Sequence, residues 1–200
     1  MSRRFRQLVL LRIIVPLLRN VASLFFDSRY LRGKHFDRSL VGWMWVWRSF
    51  WTQKFLGINR HIPWPVSHSI AIDNPDRVMF DLDDMNNFWT FGCYFSNANQ
   101  GNITIGKGTW IGPNVGIVTT NHDPENPERH HKPRDITIGR QCWIGMNSMI
   151  MPGVVLGDHT VVAAGAVVTK SFPDGSCIVA GVPATVIRQI SRSGKEQTTA

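Results

Sequence analysis

Aliphatic residues recur at every sixth position through the second half of this chain. The repeat begins at Ile105 and breaks once, between residues 118 and 137. A period of six matches neither the roughly 3.6-residue period of an α-helix nor the alternation of a half-buried strand. It predicts a solenoid with flat sides, in which each side is one short strand and one corner and the aliphatic side chain points inward. The repeated positions are Ile105, Ile111, Ile117, Ile138, Ile144, Ile150, Leu156, Val162 and Val168.

Small residues stand four positions after most of these aliphatic residues, and we expect them to face the crowded interior near each corner. One of them is Cys142, which we therefore interpret as a packing residue and not as a nucleophile. Glycine follows several of the aliphatic residues directly, and we expect it to ease the bend of the chain. The small residues are Thr109, Val115, Cys142, Ser148, Val154, Thr160 and Ala166.

The segment that separates the two runs of the repeat, residues 119–135, is strongly polar. It contains three prolines and no apolar residue, so it is predicted to protrude as a loop instead of forming a buried strand. His122 stands at the root of this loop, where the rigid coils can fix its position. His130 and His131 lie further out and are interpreted as solvated residues.

The first 60 residues have a different pattern. A helical projection of residues 8–25 leaves only a thin polar stripe with Arg12, Arg19 and Ser23, so we expect this helix to bury most of its surface. Tryptophan beside Lys and Arg is typical of a membrane interface, but such residues can equally pack on the main domain or on a second subunit. Both interpretations stay open at this point. Half of the eight tryptophans fall within nine residues, at Trp43, Trp45, Trp47 and Trp51.

The net charge is concentrated in the same segment. The whole chain carries a formal charge of +8, yet residues 1–60 hold 12 basic and two acidic residues, while residues 61–200 hold 10 basic and 12 acidic ones. This basic excess indicates an anionic partner. We favour a membrane surface and expect no nucleic acid, because no helix-turn-helix, zinc-finger or RNP motif is present.

Cysteine content and hydropathy indicate where the protein works. The three cysteines form no Cys-x-x-Cys pair, which argues against a disulfide scaffold or a zinc ribbon and favours a reducing cytoplasm. The apolar run at residues 8–18 is interrupted by Arg12 and is shorter than the roughly 18 residues of a membrane span. We therefore expect a cytoplasmic protein that binds peripherally to the inner face of the cytoplasmic membrane.

Several runs of the sequence resemble the hexapeptide-repeat acyltransferases. The runs are Trp110-Ile-Gly-Pro-Asn-Val, Thr-Thr-Asn-His122-Asp, Cys-Trp-Ile-Gly145, Pro-Gly-Val-Val-Leu-Gly-Asp158 and Ala-Gly-Val-Pro-Ala184. The resemblance covers about residues 97–190 and is strongest to the branch that contains galactoside, maltose and polysaccharide O-acetyltransferases. It implies a mainly β protein built as a left-handed parallel β-helix. It also implies a homotrimer with active sites between adjacent subunits, and acetyl-coenzyme A as donor without a metal.

With this resemblance, three segments are predicted. Residues 1–60 form a helical, basic and Trp-rich extension, which does not resemble the helical cap of the sugar acetyltransferases. Residues 61–180 form the β-helix, with the loop at about 119–135, and residues 181–200 form a short C-terminal helix and tail.

The resemblance also implies roles for individual residues. His122 matches the catalytic histidine, and we expect its imidazole to take the proton of an acceptor hydroxyl while a backbone N–H stabilises the oxyanion. Family members often have Arg or Lys where this chain has Thr185, so a phosphate contact there is absent or is supplied by Lys170 and Arg188. The positions that match contacts to coenzyme A are Trp143, Gly145, Ala164, Thr169, Lys170 and Arg188.

Three further polar residues are candidates for contact with the acceptor. Asn97 and Asn99 enter the first clear coil, although asparagine at a corner is also typical of a left-handed conformation. Asp123 adjoins His122 and is the one sequence neighbour that could orient its ring.

The predicted function is O-acetylation of a saccharide hydroxyl, in a free or lipid-linked intermediate of a cell-envelope or capsular polysaccharide. The alternative is an antibiotic O-acetyltransferase. Two remoter alternatives are a zinc hydratase of the carbonic-anhydrase type, suggested by the three loop histidines, and a non-catalytic scaffold at a membrane.

Overall fold

Short strands form the three faces of a β-helix in the computed structural model, which describes residues 10–98 and 100–191. The first face consists of β1 (Ala71–Ile72), β3 (Tyr94–Ser96), β6 (Gly116–Val118), β9 (Met149–Ile150) and β12 (Val167–Val168). The second face consists of β2 (Val78–Met79), β4 (Ile103–Ile105), β7 (Ile136–Ile138) and β10 (Val155–Leu156). The third face consists of β5 (Trp110–Ile111), β8 (Trp143–Ile144), β11 (Val161–Val162), β13 (Cys177–Gly181) and β14 (Ala184–Gln189).

The chain visits the faces in rotation, and each coil pairs in parallel with the next. Ile105 is paired with Ile138, Ile111 with Ile144 and Ile117 with Ile150, so equivalent repeat positions lie directly above one another. Among the pairs of named strands in the described residues, only β13–β14 is antiparallel. The predicted left-handed parallel β-helix is confirmed.

The core of the β-helix is the set of residues that the repeat singled out. All nine repeated aliphatic side chains are at most 5% exposed, and all seven small residues are at most 2% exposed. Cys142 is one of them, and burial raises the pKa of its thiol. The interpretation of Cys142 as a packing residue therefore agrees with its position, because a buried protonated thiol is a poor nucleophile.

The glycines that follow the aliphatic residues have a different role from the one that the sequence suggested. A Cβ at Gly106 would lie 2.5 Å from the backbone carbon of Gly139, and a Cβ at Gly145 would lie 2.6 Å from the backbone nitrogen of Ala164. These glycines leave room for the next coil. The bend itself falls two residues later, where residues such as Asn114 and Asn147 adopt positive φ.

Residues 119–135 leave the β-helix between β6 and β7 as a hairpin-like loop. The Arg134 N–H donates to the Thr119 carbonyl at 2.8 Å, and the His131 N–H donates to the Asn121 carbonyl at 2.8 Å. Further out, the Asp123 N–H donates to the Arg129 carbonyl at 2.9 Å. These bonds tie the two arms of the loop to each other, so the loop has a defined shape although it is exposed.

The N-terminal extension is helical and caps the first coils. Pro16 is the second residue of the first α-helix, directly after a π-helical turn. Its elements are a π-helical turn (Leu10–Ile14), α1 (Val15–Ala22), a 3₁₀ turn (Ser28–Tyr30), α2 (Lys34–Asp37), α3 (Val41–Ser49) and a second π-helical turn (Phe50–Phe55). Two 3₁₀ segments, Pro75–Arg77 and Leu82–Trp89, follow among the first strands.

Aromatic side chains join the extension to the β-helix. Trp45 stacks on Trp89 with ring centroids 5.5 Å apart, and the fully buried Trp64 packs against Phe88 at 5.2 Å. The fully buried Gln53 donates to the Ile62 and Trp64 carbonyls and accepts from the Val66 N–H. Packing on the main domain, one of the two interpretations left open, therefore accounts for part of the extension.

Helix α1 buries less of its surface than its sequence predicts. Val15 and Ala22 are buried, but Leu17 and Val21 on the opposite side, and Ile13 in the preceding π-helical turn, are each more than half exposed. The expectation that this helix is mostly buried is therefore wrong for the single chain. Among residues 10–98 and 100–191, no helix has the length and hydropathy needed to cross a bilayer.

The C-terminal segment also differs from its prediction. The short helix expected after residue 181 is replaced by β14, which turns back on β13 as a hairpin. The cause is local, because Thr185, Val186 and Ile187 are consecutive β-branched residues and favour an extended chain. The tail at residues 192–200 lies outside the described residues.

Candidate active site

His122 is exposed on the inner part of the protruding loop, where the hairpin holds its backbone. Its backbone forms an isolated antiparallel bridge with His130. Its Nδ1 lies 2.6 Å from the Pro127 carbonyl oxygen, across the turn of the loop. The loop therefore fixes the ring of His122 as well as its backbone.

The contact with Pro127 assigns the tautomer of His122. A carbonyl oxygen can only accept a hydrogen bond, so Nδ1 must be the nitrogen that donates. In the neutral imidazole the other nitrogen, Nε2, then carries a lone pair. This arrangement gives His122 the form that a general base needs, without a carboxylate partner.

Asp123 takes a different part in the loop from the one that sequence adjacency suggested. Its Oδ1 accepts from the Glu125 N–H at 2.9 Å, and its backbone carbonyl accepts from the Asn126 N–H at 3.2 Å. Asp123 thus shapes the turn that presents the Pro127 carbonyl, while that carbonyl orients the His122 ring. A contact between Asp123 and an acceptor stays a prediction.

His130 is a neighbour of His122 that the sequence interpretation missed. The two ring centroids are 4.1 Å apart, with the ring planes inclined by 41°. His130 is therefore not simply a solvated residue of the outer loop. His122 and His130 are each four residues from Asn126. A hairpin that turns at Asn126 would place the two histidines opposite each other, and this equal spacing was the available signal for their contact.

The third face carries a row of predicted contact residues on its outer surface. Trp143 is 60% exposed and lies in register between Trp110 and Val161. Val161 is next to Ile178, which is opposite Arg188 on β14. Directly opposed residues point to the same side of a sheet, so two exposed indoles and a guanidinium share this surface.

The hairpin irregularity explains how Arg188 reaches this side. In the hairpin, Thr185 is opposite Ala180 and Arg188 is opposite Ile178. Because the register shifts between Ile178 and Val179, Thr185 and Arg188 both face outward although they are three residues apart. Arg188 therefore puts a positive charge on the outer side that Thr185 also occupies. Trp110, at the other end of the row, was not among the predicted contact residues.

Gly145 and Ala164 meet at one corner of the β-helix. Both follow strands of the third face and precede strands of the first face, in successive coils. The Gly145 N–H donates to the Val162 carbonyl at 2.8 Å, and the exposed Ala164 adds only a methyl group to the surface. Small residues in adjacent coils therefore keep this corner, beside the row of Trp143, free of side-chain bulk.

Thr169 and Lys170 lie at a different corner. They follow β12 of the first face and precede the bridge between Phe172 and Leu156 of the second face. The loop of His122 also leaves the β-helix between the first and second faces. Within one chain, His122, Thr169 and Lys170 therefore share one corner, while the third-face row, Gly145 and Ala164 lie elsewhere.

The two asparagine candidates have different outcomes. Asn97 is fully buried, and its side chain exchanges two hydrogen bonds with the Asn74 backbone, at 2.9 Å and 2.8 Å. The prediction that Asn97 meets an acceptor is wrong, because its amide is already used to join two coils. Asn99 lies outside the described residues.

The three thiols and the metal-ligating side chains of residues 10–98 and 100–191 do not add a nucleophilic cysteine or a metal site. Burial raises the pKa of both other thiols, Cys93 and Cys177, as it does for Cys142. Within the described part of the chain, no group of three or more His, Cys, Asp or Glu side chains could hold a metal ion. The zinc-hydratase alternative thus finds no ligand set in this part of a single chain.

Comparison with known proteins adds independent support for the repeat. Residues 135–170 match the family described as bacterial transferase hexapeptide (six repeats). The galactoside O-acetyltransferase of Escherichia coli is 42% identical over 98 residues, which are 46% of this chain and 47% of that protein. The galactoside O-acetyltransferase of Lactococcus lactis is 33% identical over 95 residues, which are 46% of this chain and 45% of that protein. The chain spans about half the length of these curated relatives.

A solved structure has the same fold over nearly the whole chain. It is a hexapeptide-repeat-containing acetyltransferase from Vibrio cholerae, complexed with acetyl-coenzyme A. The TM-score is 0.53 and the identity 20%, with 96% of this chain and 100% of that chain covered. The six-residue repeat and the three-faced β-helix therefore agree with the match of residues 135–170 to the bacterial transferase hexapeptide repeat, and the fold over nearly the whole chain is that of this acetyltransferase.

Proposed function

We propose that this protein transfers an acetyl group from acetyl-coenzyme A to a hydroxyl of a saccharide, with His122 as general base. The observation that carries the proposal is the 2.6 Å contact between His122 Nδ1 and the Pro127 carbonyl, which leaves Nε2 free to accept a proton. The relatives named galactoside O-acetyltransferase support the choice of donor and of acceptor class.

In the proposed reaction, His122 moves one proton twice. Nε2 takes the proton of the acceptor hydroxyl as its oxygen attacks the thioester carbonyl carbon, and a C–O bond forms. The proton then passes from Nε2 to the sulfur as the C–S bond breaks, so the imidazole ends neutral. Acetyl-coenzyme A supplies the activated acyl group, and no covalent acyl-enzyme is required.

The third face supplies groups that fit the donor. Trp110 and Trp143 offer flat apolar surfaces for the pantetheine arm or the adenine ring, and the small residues Gly145 and Ala164 would leave the adjoining corner open as a groove for the donor. Arg188 on this face, and Lys170 at the corner between the first and second faces, are exposed cations that can meet phosphates. These single charges matter because residues 61–200 carry more acidic than basic residues, so no general positive field attracts coenzyme A.

A homotrimer would complete the site, and we include it in the proposal. One chain holds His122 at the corner between the first and second faces, whereas Gly145 and Ala164 lie at the corner between the third and first faces. An adjacent subunit can bring its own loop to the groove of its neighbour. The separation of the two sets within one chain is the structural reason to expect shared sites.

The direct test replaces His122 by alanine. We expect acetyl transfer to a galactoside, followed as release of the coenzyme A thiol, to fall by about 10²- to 10⁴-fold, because the acceptor loses its base. The matched control is His131→Ala in the same loop, which should stay close to wild type.

Two further measurements make the test decisive. Light scattering should give the same molar mass for wild type and His122→Ala, and acetyl-coenzyme A should bind both with similar affinity. Near-normal turnover by His122→Ala, with an intact assembly, would overturn the assignment of the base.

A further inference from the structure

The surface formed by α1, α3 and the turn after α1 is apolar, although it lies on the outside of the chain. We call it the α1–α3 face. It is the exposed side of the helix that was expected to be buried, and Leu24 is 77% and Trp47 63% exposed. The face consists of Leu17, Val21, Leu24, Phe25, Met44 and Trp47.

A groove between the two helices makes this face continuous. It has a volume of about 280 Å³ and is bordered by Leu18 and Phe25 on one side and by Val46 and Phe50 on the other. Val21 and Trp47 belong both to the face and to the groove. Single exposed apolar residues are ordinary on a soluble protein, but a continuous patch with its own groove marks an interaction surface.

The charges around the face decide which partner fits it. Both acidic residues of the extension are neutralised within it, since Asp27 pairs with Arg29 at 2.7 Å and Asp37 pairs with Arg19. Arg48 is exposed and borders Met44 and Trp47 on α3, and Arg12 is exposed in the turn that precedes α1. The face is therefore apolar, its α3 edge carries a free cation, and the acidic residues nearby are paired with arginine.

We propose that the α1–α3 face docks on an anionic lipid bilayer. Apolar side chains with tryptophan enter the acyl region of such a surface, while arginine meets lipid phosphates. A second copy of the chain fits less well, because it would set the same basic residues against one another. The proposal concerns where the protein works and does not depend on acetyl transfer.

Vesicle flotation tests this proposal with the whole 200-residue chain. The probes are phosphatidylcholine vesicles with about 30% phosphatidylglycerol and vesicles of phosphatidylcholine alone. We expect wild type to float with the anionic vesicles and to float much less with the neutral ones. Salt at about 0.5 M should release the protein from the anionic vesicles, because it screens charges at the surface.

A matched pair of triple variants tests the face itself. Leu17→Gln, Leu24→Gln and Trp47→Gln together should lower the bound fraction by at least about tenfold, because they remove exposed apolar area. The control combines Phe91→Gln, Val182→Gln and Ile187→Gln, which are exposed apolar residues elsewhere and should leave binding unchanged. Circular dichroism and thermal melting verify that both variants fold.

Each other result overturns the proposal. Wild type that fails to float with anionic vesicles, or floats equally with neutral ones, would exclude an anionic bilayer as the partner. Equal flotation of the two triple variants would exclude the α1–α3 face. If the first variant instead changes only the molar mass of the assembly in light scattering, the face is covered by a second copy.

Discussion

Glycines allow the coils of this β-helix to pack and to turn for two distinct reasons. At Gly106, the backbone of the next coil occupies the space that a side chain would need, with the Gly139 carbonyl carbon 2.5 Å from the Cβ position. At Gly165, nothing lies within 4 Å of that position, but φ is +71°. The first glycine answers a lack of space and the second a backbone conformation that L-residues rarely adopt.

This difference predicts that replacing each glycine by asparagine has a different effect on stability. Gly106→Asn should lower the free energy of unfolding by about 1–3 kcal/mol, because the new side chain meets backbone that cannot move aside. Gly165→Asn should change it by less than about 1 kcal/mol, since Asn114 and Asn147 already occupy the same repeat position with positive φ. Urea unfolding at one protein concentration measures both.

Gly165→Val is the control that separates conformation from size. A β-branched residue in the left-handed region should cost about 1–2 kcal/mol even though space is available. Equal stabilities for the Asn and Val variants at this position would contradict the conformational argument.

The residue scale also shows why part of the site was accessible from sequence and part was not. The root position of His122 and the exposure of Trp143 follow from the repeat, because a period of six fixes which positions face inward. The contact of His122 with His130 and with the Pro127 carbonyl depends on how the loop folds back on itself. No six-residue period describes that loop, so only the equal spacing of the two histidines about Asn126 pointed to His130, and nothing in the sequence singled out the Pro127 carbonyl.

At the scale of elements, the 3₁₀ segment Leu82–Trp89 clamps the N-terminal extension to the β-helix. Asp83 accepts from the Lys34 N–H at 2.7 Å, and this bond holds the pKa of Asp83 below its ordinary value. Asp84 is buried and accepts from the Gly108 N–H at 2.6 Å, yet burial raises its pKa. The pKa values of these two adjacent carboxyl groups are therefore shifted in opposite directions from the ordinary value.

The two shifts predict opposite pH dependence. A lowered pKa in the folded state means that Asp83 stabilises the protein above the ordinary pKa of about 3.9, and that this contribution is lost as the pH falls further. Asp83→Asn should therefore flatten the loss of stability between about pH 5 and pH 2. Urea unfolding over this pH range gives the slope.

Asp84→Asn is the matched comparison. With a raised pKa, folding becomes more favourable as Asp84 takes up its proton, so its removal should make the acid loss of stability steeper. The same direction of change for both variants would show that the clamp does not control these two carboxyl groups as described.

Elements were predictable where one face is buried, and less so elsewhere. The strands with inward aliphatic residues follow from the repeat. Helix α1 and strand β14 depend instead on contacts and on local preference: α1 leaves Leu17 and Val21 exposed, and three consecutive β-branched residues make β14 extended. A hydrophobic pattern alone states that a surface is apolar but not what covers it.

At the scale of the whole molecule, the proposed site needs two chains. His122 and the proposed donor groove at Gly145 and Ala164 lie at different corners of one β-helix, so each chain would contribute a different half to two different sites. The α1–α3 face, proposed to dock on a membrane, belongs to a third region, the N-terminal extension, which carries most of the basic residues. Catalysis and docking are thus assigned to separate parts of the chain.

Mixed trimers test the shared site. His122→Ala removes the base, and Ala164→Trp fills the groove, so each variant alone should be inactive in acetyl transfer. When the two are unfolded together, mixed in equal amounts and refolded, about a quarter of the sites should combine an intact loop from one chain with an intact groove from its neighbour, if assembly is random. Recovery of about that fraction of wild-type activity is expected, and the unmixed variants refolded separately are the control.

A site contained in one chain cannot be restored by mixing, because every chain carries one defect. Mixed samples that form trimers by light scattering yet stay inactive would therefore place His122 and the groove of the same chain in one site.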